Sequence, residues 1–468
     1  MLERIYRLSR QVMPFMWQEI DEGILPALYG AVAPDAEGGT FYGPRGFLEL
    51  AGGGVTDAQI PERCKNEAAG RRLWEVSEQL TGVTYPKTAE LAPSSALGAS
   101  GSYRRNVPES TVVVRPEPME SGSYTAASRL RAAGLLGAIK LFEEAAQAVP
   151  LPKPPQPIVI ADYGASTGHN SLLPICAAIA VLRKRTRPEH SVLVAHTDAA
   201  DNDFTVLFQT VEDDPDSYLR KDAASFASAV GRSFYTQILP SNSVNLGWTS
   251  WAIQWLSRIP APVPDHLQVA YSGDDEIKET YASLAAHDWH EFVAFRGREL
   301  CPGGRAVVMT MAIGDDGEFG YRPLFKGMVD ELAALMVQGL VTEDEVHRMC
   351  IPTVSRRAAD FLAPFAPKGR FERLEIEHLE VFDAEDRFWT QYQVDHDATA
   401  FGAQWAAFAR ASVLPTLAAA LDGGRADPRC TEFMNRMEAG VATRMAAEPE
   451  EMQIPLAQLV LWKVPKAR

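Results

Sequence analysis

The sequence predicts an α/β fold in which a mostly parallel, Rossmann-like sheet carries helices on both faces. Strand and helix patterns alternate from residue 158 onward, and such connections usually place strands side by side in a parallel sheet. One apolar strand ends on Asp162 and is followed by a glycine-rich loop and a helix pattern. The 468 residues exceed what one ordinary core needs, so we expect further segments attached to this sheet.

Composition and charge narrow the classes of partner. Hydrophobic residues make up 46% of the chain and charged residues 23%, which is typical of a soluble globular protein. A net charge of −16 repels phosphate backbones and anionic lipids, so we expect neither nucleic acid nor a membrane as a partner. No run reaches the roughly 18 apolar residues of a membrane span, and no signal peptide is recognised. The five scattered cysteines form no metal or disulfide pattern, which favours a reducing cytoplasm.

The chain divides by pattern into a small attachment, a linker and a main domain. Residues 1–87 are predicted as a small, mostly helical segment, and residues 88–107 as an Ala/Ser/Gly/Pro-rich linker. The main domain is expected over residues 108–468. Around residues 315–371, helical patterns have no strand partner, which predicts a helical cap over the active site.

Each predicted element of the main domain has its own pattern. Short apolar runs rich in β-branched residues predict strands, and longer runs with apolar residues at helical spacing predict helices. The elements expected in chain order are a helix at 124–148, a strand at 158–161, a helix at 171–184, a strand at 191–195, a helix at 204–212, a strand at 267–271, a helix at 279–300, a strand at 305–312 and a last strand at 455–464.

The loop after the first strand suggests the ligand. It has the spacing D-x-G-x-x-x-G, formed by Asp162, Gly164 and Gly168, and lacks the G-x-G-x-x-G of a dinucleotide site. An acid at the strand end repels phosphate but attracts the amine and sulfonium of S-adenosylmethionine. A second acid, Asp198, ends the neighbouring strand, where an acid typically binds a ribose diol. The two acids favour S-adenosylmethionine over NAD, and a plain tight turn with two solvated acids is the alternative.

Several motifs follow one another in a recognisable order. They are SY at 123–124 with Ser128, DYGASTGHN at 162–170, DAADNDF at 198–204, GRSFY at 231–235, LPSNS at 239–243, WAIQWLSRIP at 251–260, CPGGRAV at 301–307, and GLV at 339–341 with IP at 351–352. In these motifs, residues from about 104 to 466 resemble the SABATH family of plant-type carboxyl and N-methyltransferases. The resemblance implies a class I methyltransferase fold and an S-adenosylmethionine-dependent enzyme.

The resemblance also implies which residues bind the cofactor. They are Ser128, Asp162, Gly164, Gly168, Asn170, Asp198, Ala199, Ser233 and Phe234. Asp162 and Asn170 would hold the methionine end, Asp198 the ribose, and Ser233 and Phe234 the adenine. The plain alternatives are that Ser233 caps an element and that Phe234 is a core residue.

The residues expected at the methyl acceptor are Tyr124, Arg131, Gln254 and Trp255. Trp248, Trp251 and Trp255 crowd beside Gln254, although tryptophans in such a cluster can also be core residues. Arg131 stands where the family usually carries a glutamine that touches the substrate carboxylate. We expect Arg131 to grip a carboxylate, and a solvated helix arginine is the alternative.

The resemblance implies an O-methyltransferase that forms the methyl ester of a small, aromatic or apolar carboxylic acid. A carboxylic acid with a pKa of about 4 is ionised at neutral pH, so we expect no catalytic base, and no Ser-His-Asp or Cys-His set is apparent. His287 and His290 lack a third ligand, so no metal is expected. The alternatives are an N- or phenol O-methyltransferase and a non-catalytic ligand-binding or scaffold protein.

Residues 1–87 resemble a different family. The motifs LYGAVAP at 28–34, GGTFYGP at 38–44 and RLWEVSEQLTGVTYP at 72–86 are similar to the C-terminal tail of a retinol-dehydrogenase-type short-chain dehydrogenase. The cofactor loop and Tyr-x-x-x-Lys pair of that family do not occur here. We interpret the segment as a gene-fusion remnant that packs on the transferase or mediates a homodimer, with a segment of no role as the alternative.

Overall fold

The computed structural model describes residues 124–465 and, nearer the N-terminus, residues 42–44, 55–57 and 72; side chains in the first helix are described from residue 135. The chain separates into two compact units, Met1–Arg104 and Arg105–Arg468. In the first unit, strands β1 (Tyr42–Pro44) and β2 (Val55–Asp57) pair in antiparallel register. The rest of the segment 1–87 and the linker 88–107 lie outside the described residues, so their predicted organisation stays a prediction.

The second unit is built around a seven-stranded sheet. Its strands are β3 (Ile158–Tyr163), β4 (Val192–Asp198), β5 (Ser225–Gly231), β6 (Val244–Ser250), β7 (Leu300–Met311), β8 (Leu374–Asp383) and β9 (Pro455–Lys463). Its helices are α1 (Tyr124–Ala148), α2 (His169–Arg183), α3 (Phe204–Asp213), α4 (Tyr218–Lys221), α5 (Asp275–Glu299), α6 (Arg322–Val337), α7 (Glu343–Arg348), α8 (Ala358–Leu362), α9 (Arg387–Asp395), α10 (Ala398–Ser412), α11 (Leu414–Ala418) and α12 (Cys430–Ala447).

The strand order confirms the predicted Rossmann-like sheet. The order is β5-β4-β3-β6-β7-β9-β8; the first five strands are parallel, and β9 runs antiparallel to both β7 and β8. After β5 the chain crosses to the other side of β3, so the carboxyl ends of β3 and β6 flank the point where the strand order reverses. Ligands of open α/β sheets bind in the crevice at such a point.

Helices cover both faces of the sheet. Ile160 of β3 belongs to the same hydrophobic cluster as Phe142 of α1, whereas its neighbour Ala161 belongs to the cluster of Trp289 on α5. Since successive strand residues point to opposite faces, the two clusters lie on opposite sides of the sheet. In the described part of the chain, no helix is long and apolar enough to cross a membrane.

A group of cap helices packs together beside the sheet. The range 315–371 contains α6, α7 and α8, and α6 packs against α12, which in turn packs against α10. A Cβ on Gly402 of α10 would lie 2.2 Å from the carbonyl oxygen of Ala442, so only glycine allows α10 and α12 to approach this closely. Arg444 of α12 pairs with Glu331 of α6 at 3.0 Å. This group of helices therefore extends beyond the range 315–371, for which a cap is predicted.

The prediction of a strand at 267–271 is wrong. Val269–Tyr271 is a single turn of 3-10 helix, because the Gln268 side chain accepts a hydrogen bond from the amide of Ala270 and caps that turn. The Tyr271 hydroxyl donates to the carbonyl of Gly320 at 2.6 Å, which anchors the turn to the start of the cap. Local side-chain bonding of this kind competes with strand pairing.

Candidate active site

A cavity opens where the carboxyl ends of β3 and β6 meet. It contains about 1480 Å³ of empty space, part of it open to solvent. The loops that follow β3, β4, β5 and β6 line one end, and α6 and α10 line the other. The sheet topology therefore brings residues from distant parts of the sequence to the position where an α/β sheet binds its ligands.

The glycine loop after β3 forms the floor of this cavity. Gly164 has a φ of +82°, and a Cβ built there would lie 2.3 Å from the Cβ of Ala252. The amides of Gly164 and Ala165 donate to the carbonyl of Thr197 at 2.9 and 3.0 Å, which fixes the loop to the end of β4. Gly168, with a φ of +87°, is the N-cap of α2 and does not line the cavity. Both positions favour glycine, Gly164 also because the approach to Ala252 is so close.

Asp198 ends β4, as predicted, and lies on the cavity wall beside Ala199. Asp198 is 8% exposed, and its carboxylate accepts hydrogen bonds from the amides of Ser166 and Ala199, each at 2.7 Å. Burial raises the pKa of Asp198, and the two amide bonds partly oppose that shift. Because a carboxylate offers about four acceptor positions, both oxygens can accept further hydrogen bonds from a ligand.

Asp162 faces a buried partner that the sequence did not reveal. Its Oδ2 lies 2.7 Å from Nδ1 of His196, whose Nε2 lies 2.9 Å from the hydroxyl of Tyr218. The other carboxylate oxygen, Oδ1, has no hydrogen-bond partner, and Asp162 is not among the cavity-lining residues. Burial, with a contribution from Asp162, raises the pKa of Tyr218, so its hydroxyl keeps the proton that it can donate to His196.

Ser233 and Phe234 line the cavity on the loop that follows β5. Two residues of α5, Arg296 and Glu299, support this loop from the core, where both are fully buried and pair at 3.0 Å. The guanidinium of Arg296 donates to the carbonyl of Phe234 at 2.7 Å and to that of Thr236 at 3.0 Å. This ion pair therefore positions the loop, and nothing in the local sequence of α5 distinguishes it from a surface i, i+3 pair.

Gln254 and Trp255 line the cavity as expected, and Trp251 joins them. The amide of Gln254 is already engaged, because its Nε2 donates to the carbonyl of Trp251 at 2.7 Å and its Oε1 accepts from Thr310 at 3.2 Å. Trp248 is a core residue: it is fully buried against Phe142, with ring centroids 5.1 Å apart. The crowded tryptophans therefore divide between the cavity and the core.

Trp251 combines two unusual features. Its φ is +57°, a conformation that bulky residues rarely adopt outside constrained sites. Its indole Nε1 is buried and has no hydrogen-bond acceptor. A buried N–H group on a cavity wall without an acceptor can donate to a ligand.

The roof of the cavity is apolar. It consists of Tyr321, Leu324, Phe325 and Met328 at the start of α6, and Phe408, Ala411, Ser412 and Val413 at the end of α10. Among the described lining residues, Asp198 is the one with a charged side chain, and histidine, lysine and arginine do not occur. The cavity thus joins a polar floor to an apolar roof.

Three predicted site residues cannot be placed in this geometry. Tyr124, Ser128 and Arg131 belong to α1, but their side chains lie outside the described residues.

Asn170 lines the cavity at the start of α2. Within the described chain, no group of three or more His, Cys, Asp or Glu residues could hold a metal ion.

Comparisons with known proteins agree with this arrangement. Residues 113–460 match the family model of SAM-dependent carboxyl methyltransferases. Methyltransferase FUS9 of Gibberella moniliformis is 29% identical over 252 residues, which cover 52% of this chain and 65% of that protein, just under two thirds of its length. Gibberellic acid methyltransferase 1 of Arabidopsis thaliana is 27% identical over 315 residues, which cover 62% of this chain and 80% of that protein.

A solved structure supports the fold. Loganic acid methyltransferase, determined with S-adenosylhomocysteine (SAH), superposes with a TM-score of 0.58 at 21% identity over 75% of this chain and 99% of that one. Since the family model covers most of the chain, the resemblance predicted from the motifs is confirmed. The chain belongs to the family of S-adenosylmethionine-dependent carboxyl methyltransferases.

Proposed function

We propose that this protein transfers a methyl group from S-adenosylmethionine to the carboxylate of a small acid with an aromatic or apolar body. The apolar roof supports such an acceptor, because its aromatic and aliphatic side chains suit a ligand with little polar surface. One relative is named as a methyltransferase of gibberellic acid, which is a carboxylic acid.

The residues of the cavity floor fit the cofactor. Asp198 keeps free acceptor positions for a ribose diol, and Gly164 lines the cavity with backbone that carries no side chain. Asp162 is buried and does not line the cavity, but its unpartnered Oδ1 supports its proposed contact with the amino group of the methionine end. Phe234 offers an aromatic ring for the adenine. When bound, S-adenosylmethionine supplies an electrophilic methyl group.

The absence of a base from the described lining carries this proposal. A phenol with a pKa of about 10, or a protonated amine, must lose a proton before it can accept a methyl group, whereas a carboxylate is already ionised at neutral pH. Asp198 is the one described carboxylate in the lining and is assigned to the ribose. The chain's contribution is then to orient the acceptor and to exclude water beneath the cap helices.

Two donors are proposed for the acceptor carboxylate. The unpartnered indole N–H of Trp251 can donate to one oxygen without neutralising the charge that makes the carboxylate a nucleophile. Arg131 remains the second proposed donor. Its guanidinium would fix the orientation of the carboxylate through paired hydrogen bonds, so Arg131→Gln should raise KM for the acid more than it lowers kcat.

Incubation with radiolabelled S-adenosylmethionine and a panel of acceptors tests the proposal. The panel contains aromatic and aliphatic acids, their primary amides, phenols and N-heterocycles of matched size. We expect label in the acids alone, as a product that mild alkali hydrolyses back to the acid. Alkali-stable label in a phenol or a heterocycle would overturn the proposal in favour of phenol O- or N-methylation.

We further propose a cytoplasmic location. Among the described residues, the cysteines Cys176, Cys301 and Cys350 are free thiols, which supports a reducing compartment. We also propose that segment 1–87 derives from a gene fusion and either packs on the transferase or mediates a homodimer. Sedimentation of the full chain as a dimer, and of a chain that starts at Pro93 as a monomer, would support the homodimer.

A further inference from the structure

A second cavity lies behind the wall of the acceptor pocket. It contains about 1430 Å³ of empty space, part of it open to solvent, between α5, the turn Val269–Tyr271 and the segment that leads into α8. The amide of Val354, which lines this cavity, donates to the carbonyl of Gln254, which lines the acceptor pocket, at 2.8 Å. The two cavities therefore share a wall but have different lining residues.

A buried guanidinium forms part of the second cavity's lining. Arg356 is 2% exposed; its Nη1 donates to the carbonyl of Ile253 at 2.9 Å and its Nη2 to that of Ala285 at 3.0 Å. Its Nε has no acceptor, and no carboxylate of the described chain lies within ion-pair distance. The nearby carboxylate of Asp288 is occupied by the amide and hydroxyl of Ser257, both at 2.8 Å. Arg356 is thus a buried cation that no described carboxylate contacts directly.

Other residues that line this cavity are also cationic or carry a polar atom without a hydrogen-bond partner. The lining residue Ser355 has a buried hydroxyl without a hydrogen-bond partner. Lys278 and Arg357 also line the cavity, and the one carboxylate there, Asp360, accepts from the amide of Arg357 at 2.8 Å. In a chain with a net charge of −16, a cavity whose charged side chains are three cations and one acid attracts an anion.

The rest of the lining is apolar. Its large side chains include Val269, Tyr281, Trp289, Ile313, Phe319 and Val354. The ring of Trp289 lies 6.0 Å from the Arg356 guanidinium carbon, so the charge and the apolar surface are adjacent. An inorganic anion would leave this apolar surface in contact with water, whereas a neutral apolar molecule would leave the Arg356 Nε unpaired.

We propose that this cavity is a second ligand site, separate from the acceptor pocket, that binds a small organic carboxylate with an apolar body. The carboxylate accepts hydrogen bonds from the Arg356 Nε–H and the Ser355 hydroxyl, and the body packs against the aromatic side chains near Trp289. This site does not depend on methyl transfer, because none of its residues belongs to the proposed cofactor or acceptor pocket.

Isothermal titration of the full chain with phenylacetate, in the presence of saturating SAH to prevent turnover, tests the site. Ala286 is an exposed residue of α5 that lines the second cavity, so Ala286→Trp fills the cavity without burying a new side chain in the core. Ser283→Trp is the matched control on the same helix, at an exposed position away from the cavity. We expect one binding event that is lost in Ala286→Trp and kept in Ser283→Trp.

This criterion is independent of the acceptor pocket, whose own binding of phenylacetate should be the same in all three proteins. A titration in which Ala286→Trp binds phenylacetate with the wild-type stoichiometry and affinity would overturn the second site. The charge requirement has its own test: phenylacetamide and inorganic phosphate should each bind the second site at least roughly tenfold more weakly than phenylacetate. Equal binding of either probe would contradict the proposed ligand class.

Two further variants, Lys278→Glu and Ser355→Ala, test the binding of the carboxylate without replacing Arg356, whose hydrogen bonds also hold the core together. Lys278 is a rim residue whose ammonium pairs with Asp275 at 3.3 Å, and its replacement leaves the core untouched. We expect each variant to weaken the second binding event several-fold while the melting temperature stays unchanged. Unchanged affinity in both variants would exclude a carboxylate bound at Arg356.

Discussion

We expect cofactor binding to depend most on the carboxylate of Asp198. Asp198→Ala removes the proposed acceptors for the ribose, and we expect affinity for SAH to fall by at least roughly a hundredfold, because each of two bonds to a charged acceptor contributes about 1.5–3 kcal/mol. Isothermal titration measures this loss. Glu212→Ala, an equal charge change at an exposed position of α3, should leave the affinity unchanged. Wild-type affinity in Asp198→Ala would remove the ribose assignment.

Substitution of His196 should lower the free energy of unfolding more than substitution of any surface histidine. His196→Leu leaves Asp162 buried with no hydrogen-bond partner for either oxygen, and breaking a buried pair in this way typically costs about 3–5 kcal/mol of the free energy of unfolding. Urea denaturation would measure the loss. Tyr218→Phe removes only the hydrogen bond between the Tyr218 hydroxyl and His196, and it should lower the free energy of unfolding by about 1 kcal/mol. Equal stability of wild type and His196→Leu would show that the pair contributes nothing.

The contrast between these residues shows what sequence can predict at this scale. The position of Asp198 on the cavity wall was predictable, because it ends an apolar strand before a loop, whereas its role toward the ribose stays a prediction. His196 was not predictable, because its contact with Asp162 depends on the parallel register that places these two residues side by side on β4 and β3. The ion pair of Arg296 with Glu299 was hidden for a related reason, since its burial depends on the loop that packs over it.

At the level of elements, the glycine loop after β3 is the least tolerant of change. Gly164→Ala combines a positive φ with a Cβ 2.3 Å from that of Ala252, so we expect loss of SAH binding and of stability. Gly339→Ala is the matched control, because Gly339 has a φ of +75° but no atom within 4 Å of a built Cβ. It should cost only about 1–2 kcal/mol of backbone strain.

A second substitution separates the two reasons why Gly164→Ala should lower stability and SAH binding, namely the positive φ and the clash with Ala252. In Gly164→Ala/Ala252→Gly the Cβ–Cβ clash is gone and only the strained φ remains, so thermal stability and SAH binding should recover toward the values of the Gly339→Ala control. If the double variant binds SAH no better than Gly164→Ala, close packing against Ala252 is not what requires glycine in this loop.

The elements that the sequence predicted are those with continuous apolar patterns. The helix at 124–148 has the predicted bounds, and β3, β4, β7 and β9 all lie where apolar runs occur. Strand β6 was missed because its sequence, VNLGWTS, mixes polar residues and glycine, although every residue of it is buried between β3 and β7. Strand β8 was missed as well, because its sequence, LEIEHLEVFD, carries an acid at nearly every other position. This strand is half exposed at the edge of the sheet.

The second unit, Arg105–Arg468, should fold without the N-terminal segment. The three hydrophobic clusters of the described chain consist of residues from Leu135 onward. A chain that starts at Pro93 should therefore keep its circular dichroism spectrum and its affinity for SAH. Unfolding of the truncated chain would show that residues 1–92 cover part of the transferase core and that the predicted boundary is wrong.

The pH dependence of the reaction tests most directly the claim that this chain methylates a carboxylate without a base. With both substrates saturating, kcat for the best acid should stay flat from about pH 6.5 to 9, because the acceptor is already ionised. When S-adenosylmethionine is limiting, the rate should fall on acidification as Asp198 takes up a proton, and its raised pKa places this fall above the range of an ordinary aspartate. A kcat that instead rises with pH through a pKa of about 7 or higher would reveal a required deprotonation and contradict carboxyl methylation by positioning alone.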